Sequence, residues 1–265
     1  MRSPASSTSF RQRFWPLFAI GLVGVASLAP VLLSSLPGQL AQLPQPAPIP
    51  VPVLVVLSLL QLSVLLAISV ALGAVVTPQL DLRSHLVQSI SERKPFWSLL
   101  RAHFRLSLLL GVAGFAIVAV LDMMFRPFLG ESWQRLSQGG LSGTPLSTLS
   151  GVLYGGITEE LMLRWGIMSL VAWFGWRIVQ KGDAVPRADI MWVAIVFSAL
   201  LFGFGHLPAT AALVPLTPII VARALILNGI IGLIAGWLFW RRGLESAMVA
   251  HAMFHITSAV TSALL

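Results

Sequence analysis

No cysteine occurs in the 265 residues. That absence excludes disulfides, thiolate metal ligands and a cysteine nucleophile. Charge is scarce as well. Charged residues make up 10% of the chain, where a soluble domain carries about 25%. A surface so poor in charge cannot be covered by water. Acidic residues are the scarcer sign, 9 against 17 Lys and Arg, which leaves a formal net charge of +8. In a soluble protein that excess would suggest nucleic acid. Here the cations sit between long apolar runs, where they face anionic headgroups and set topology.

Hydrophobic residues, by contrast, make up 57% of the sequence. A membrane-spanning helix needs about 20 mostly apolar residues. Runs that meet this length fall at 15–36, 51–76, 98–122, 146–173, 188–206, 219–240 and 244–264. The expected fold is therefore all-α, a polytopic transmembrane bundle of about seven spans. The first run follows a basic start (Arg2, Arg11, Arg13). It exceeds the apolar core of a signal peptide and is not closed by a small-residue cleavage site, so it reads as an uncleaved first span. Between the first two runs, Pro44, Pro46, Pro48, Pro50 and Pro52 alternate, a pattern that favours a stiff polyproline II connector.

The cations test the span count. If the N-terminus is cytoplasmic, thirteen Lys and Arg fall on the inner side, only Arg126 and Arg135 on the outer side, and Arg164 and Arg223 within spans. A wrong count would scramble that asymmetry. The 207–218 stretch carries no charge and is interrupted by Pro208, Pro215 and Pro218, which fits an outer loop or a re-entrant segment. Beyond it, Gly232 and Gly236 form a small-x-x-x-small pair that lets another helix pack closely.

Ionisable groups inside a span are expensive and need a partner or a task. Apart from Arg223, the deep ones fall into three short groups. The first is Glu159-Glu160-Leu-Met-Leu-Arg164. Glu160 and Arg164 are four apart, stack on one helix face and can pair. Glu159 projects about 100° away, without a local counter-charge, and suits a general base. A purely structural ion network would use the same residues. The second group is Phe202-Gly-Phe-Gly-His206. A lone histidine there is more often hydrogen-bonded core than ligand. The third is His251-Ala-Met-Phe-His255, whose imidazoles face one way about 6 Å apart. That spacing suits a divalent metal, or paired donors around one oxygen. If the three helices converge, Glu159, His206, His251 and His255 surround one water. This would serve amide hydrolysis or a proton or cation pathway. A coupled transporter and a non-catalytic membrane scaffold or immunity protein are thus the rival functions. The absence of paired repeats argues against the transporter.

These motifs, Glu159-Glu160-x-x-x-Arg164, Phe202-x-x-x-His206 and His251-x-x-x-His255, in that order, resemble those of the CPBP intramembrane proteases. That group takes in the type 2 CAAX prenyl endopeptidases, the Abi immunity proteins and related bacterial membrane proteases. The stretch Arg241-Arg242-Gly243-Leu244-Glu245-Ser246 reads like the family too. The resemblance covers about residues 145–264. It implies a catalytic core in 145–265 behind accessory helices in 1–144, and a multi-pass protein of a bacterial plasma membrane. The substrate would be a membrane-associated protein or peptide, with the lipid bilayer as partner and no nucleic acid.

The resemblance implies that Glu159 activates water and that Glu160 and Arg164 order the site. His206, His251 and His255 would hold the water, stabilise the oxyanion or bind one divalent metal, zinc being the natural ion. A metal-free glutamate mechanism is equally implied. The prenyl-protein members commonly place Asn where this chain has His255. That departure argues against prenylated substrates and favours a metal. One tension is visible in advance. At 1.5 Å per residue, His206 falls at the outer end of its helix and His251 about 10 Å from the inner end of its own. Convergence demands tilted helices or shifted boundaries.

Overall fold

A computed structural model describes residues 8–41, 49–131, 133 and 144–264, and among these every regular element is helical. In chain order α1 spans Phe10–Ser27, α2 Ala29–Leu40, α3 Val51–Val76, α4 His85–Glu92 and α5 Phe96–Phe125. The next element described is a composite helix, α6, whose pieces run end to end. It begins as an α-helical Pro145–Ser150, widens into π turns over Gly151–Glu159 and Leu161–Met168, and returns to α geometry in Ser169–Ile178. Then come α7 (Ala188–Gly205), α8 (Leu207–Ala211), α9 (Pro218–Arg242) and α10 (Leu244–Leu264).

Six helices are long and apolar enough to cross a membrane, counting α1 with α2 as one and α7 with α8 as another. The seventh expected span, 146–173, coincides with α6, whose α and π pieces are each short but run end to end. The protein is a multi-pass membrane protein. Of the alternating prolines, Pro44, Pro46 and Pro48 lie outside the described residues, as do Arg2 and Arg135. Pro50 is extended (φ −61°, ψ 142°) and caps α3, while Pro52 occupies its first turn. The 207–218 stretch holds the single-turn helix α8 and a following loop.

Large apolar side chains such as Leu60, Leu109, Val120 and Phe197 stay at least half exposed on the outside of the bundle, as lipid contact requires. The interior is filled by Leu17, Leu66, Leu161, Trp165, Ile195 and Phe239. The expected glycine contact is present: a Cβ on Gly232 would meet Ala199 Cβ at 2.7 Å, and one on Gly236 would meet Ile195 Cγ2 at 2.9 Å. Helices α7 and α9 therefore touch almost backbone to backbone.

At the basic end, α4 lies across the elbow between α9 and α10. Gly243 turns this elbow at φ 99°, a left-handed value that favours glycine. Glu245, 4% exposed, accepts from Ser84 Oγ (2.6 Å) and from the backbone N–H groups of His85 (2.7 Å) and Leu86 (3.0 Å). His85 Nε2 donates to the Arg242 carbonyl at 2.9 Å. A carboxylate at the start of α4 satisfies N–H groups that the helix itself leaves free. Replacing Glu245 by alanine would strand three donors, two of them buried, for a loss of about 1–3 kcal/mol. Thermal unfolding of the purified variant should show a lower midpoint; an unchanged midpoint would mean that the clamp carries no stability.

Candidate active site

The π segment of α6 starts the site. Gly151 and Gly155 lie four apart, and a Cβ on either would run into the His255 ring, 2.6 Å from Nδ1 and 2.7 Å from Nε2 respectively. The same Cβ on Gly155 would lie 3.4 Å from His251 Nε2. A Cβ on Gly156 would meet Ala252 at 3.0 Å. The bare face of α6 thus lets α10 approach, with both histidines laid into the groove between them. Single π turns recur at functional sites because they re-aim side chains without ending the helix. Here they extend over the stretch that carries both glutamates.

From that stretch the two carboxylates diverge. Glu160 is 0% exposed. Its Oε1 accepts from His251 Nδ1 at 2.9 Å, and its Oε2 lies 3.3 Å from Arg164 Nε. The second contact is an ion pair without hydrogen-bond alignment. Arg164, also 0% exposed, donates through Nη2 to the Gly232 carbonyl at 3.0 Å. The guanidinium lies 5.3 Å from the centre of the Phe202 ring. Glu159, half-buried, turns instead into a cavity of about 370 Å³ that Tyr154, His206, Asn228, His251 and His255 also line.

Helix α7 supplies His206 at its C-terminal cap. Its Nδ1 donates to the Phe202 carbonyl at 2.8 Å. A carbonyl only accepts, so Nδ1 holds a proton, which leaves Nε2 as the nitrogen without a partner on this carbonyl. Phe202 also sets its ring edge-on to His206 (centroids 4.7 Å) and to His251 (5.6 Å). His251 and His255 stack at 5.1 Å with 20° between their planes. The depth conflict is resolved at the start of α10. Leu244, Glu245, Ser246 and Ala247 are all buried beneath α4. The helix therefore begins inside the protein, which brings His251 level with Glu160.

The structure accordingly gathers Glu159, His206, His251 and His255 around one cavity and sets Glu160 and Arg164 behind them. Sequence reasoning assigned no role to Tyr154, Asn228, Phe202 or the glycines of α6. Two signals were available: Tyr154 is the only tyrosine in the chain, and Gly151-x-x-x-Gly155 repeats the spacing of Gly232 and Gly236.

A catalytic zinc takes three protein ligands around one point. Among the described residues no three His, Asp or Glu side chains converge closely enough to hold a metal ion. With the Nδ1 atoms of His206 and His251 held by Phe202 and Glu160, each of these rings keeps only its Nε2 as a donor atom, and His255 lies flat against the glycine face. The donor set as arranged does not fit the metal.

Comparison with curated proteins and with solved structures gives no match for the chain. A family model does match: residues 141–257 fit the one described as Type II CAAX prenyl endopeptidase Rce1-like. That stretch contains all six candidate residues, the glycine face of α6 and the cavity-lining turns of α9, and over it the chain is similar to the Rce1-like CAAX proteases.

Proposed function

We propose that this protein is an intramembrane endopeptidase that hydrolyses a peptide bond of a membrane-associated protein or peptide, using a water activated by Glu159. The observation that carries this reading is the division of labour between adjacent carboxylates. Glu160 accepts from His251 and pairs with Arg164, whereas Glu159 faces the cavity that His206 and His251 also line.

In the proposed reaction, the Nε2 of neutral His206 accepts one hydrogen of the water and orients it. Glu159 takes the other proton as the oxygen attacks the scissile carbonyl. Glu160 holds the Nδ1–H of His251, orients the ring and offsets the positive charge that develops on it as its Nε2–H donates to the oxyanion, as an aspartate does for the histidine of a serine protease. His255, stacked on His251, restricts the rotation of that ring. When the tetrahedral intermediate collapses, the C–N bond breaks and Glu159 returns its proton to the leaving amine. No step needs a metal.

The test is hydrolysis of a peptide library by detergent-purified protein, with metal content measured on the same preparation. Cleavage should persist in a strong chelator and should not follow bound zinc. Activity that a chelator abolishes and zinc restores would overturn the metal-free mechanism. Absence of hydrolysis by the protein reconstituted in lipid, across peptides and membrane-protein tails, would overturn the protease reading itself.

A further inference from the structure

The basic residues and the cavity occupy opposite ends of the bundle. Arg11 and Arg13 begin α1, Arg101 and Arg105 lie in the first turns of α5, and Arg241 and Arg242 end α9. Arg177 lies in the last turn of α6 on the same side, Lys181 in the turn after it, and Arg187 precedes α7. Cavity-lining residues come from the other helix ends. Leu28 follows the last turn of α1, Gly151 and Tyr154 open α6, and His206 ends α7. Arg223 lies in the first two turns of α9, and His255 in the second half of α10. Between the cavity and the basic end the bundle is plugged: Arg164, Trp165, Met168, Leu238, Phe239 and Leu244 are at most 1% exposed. The α4 clamp covers the basic end further.

Lys and Arg mark the cytoplasmic side of a multi-pass protein, and they divide thirteen to two here. We infer that the catalytic cavity opens toward the non-cytoplasmic side, so that the substrate is an exported or membrane-anchored peptide presented from outside the cytoplasm, not a cytoplasmic C-terminal tail. The inference rests on the protease reading for its substrate class. The direction of opening stands on charge and packing alone.

The lack of cysteine makes the test clean, because each introduced thiol is the only one. Ala212→Cys places an exposed thiol after α8, beyond His206. Ser98→Cys places one at the start of α5, three residues from Arg101. In cells producing the full chain, a membrane-impermeant maleimide should label Ala212→Cys directly and Ser98→Cys only after permeabilisation. The reverse pattern would overturn the inference. A membrane-impermeant peptide that the purified protein cleaves should then be cut by right-side-out vesicles; cutting by inverted vesicles alone would also overturn it. Failure of the protease reading is distinguishable, since it removes cleavage from both vesicle types and from detergent while leaving the labelling pattern intact.

Discussion

Replacing Glu159 by glutamine lowers kcat for peptide hydrolysis by about 10²–10⁴-fold, the usual contribution of a general base, and leaves the unfolding temperature unchanged. The side chain is half-buried and faces open volume. Glutamine keeps its length and shape, so packing has no reason to change. What is lost is the group that takes the proton of water. The neighbouring carboxylate provides the control. Glu160→Gln alters a fully buried group that accepts from His251 and pairs with Arg164, so that variant should lose stability as well as activity. Steady-state hydrolysis and thermal unfolding, measured on both variants, separate the two roles. Wild-type kcat in Glu159→Gln would exclude it as the base. A large stability loss in the same variant would return the residue to a structural network.

Much of this site could be read before any fold was known, because α-helical spacing is strict. Glu160 and Arg164 pair four residues apart, and His251 and His255 share one face, as their intervals require. Burial of charge is so unfavourable in a membrane that each such group announces its importance. Other features depend on tertiary contacts with no sequence period. The π winding of α6 coincides with the glycines that α10 packs against, a contact between segments far apart in the chain. Glu245 read as part of a family-like stretch near the membrane boundary, yet its work is to cap α4, 160 residues earlier in the chain. The convergence of His206 with His251 could not be inferred from depth counted along straight spans, since it requires α10 to begin beneath α4. The metal-ligating potential of three histidines was legible only as residue types. Their ring orientations, set by Phe202 and Glu160, determine what they can bind.

Substituting Arg164 by methionine should destabilise the protein by about 3–5 kcal/mol, because it leaves one member of a buried ion pair without its partner. Glu160 would remain 0% exposed, with only the His251 Nδ1–H left to offset its charge. Arg164 also carries the link to α9 through the Gly232 carbonyl and lies against the Phe202 ring. Its loss therefore loosens α6, α7 and α9 together. The double variant Glu160→Gln/Arg164→Met tests the cause. It removes both charges yet keeps an amide oxygen for His251 Nδ1. Replacement of a buried pair by neutral groups is often tolerated, so much of the lost stability should return. Hydrolysis should recover only in part, since a neutral amide holds His251 in place but offsets positive charge developing on the ring less than a carboxylate does. Denaturation and kinetics of the two variants, measured in one detergent, give the comparison. A double variant as unstable as Arg164→Met would show that the stranded charge is not the cause, and would shift the role of Arg164 to its contacts with Gly232 and Phe202. Recovery of stability without full activity would identify Arg164 as a positioning residue, which acts on the reaction only through the carboxylate that steers His251.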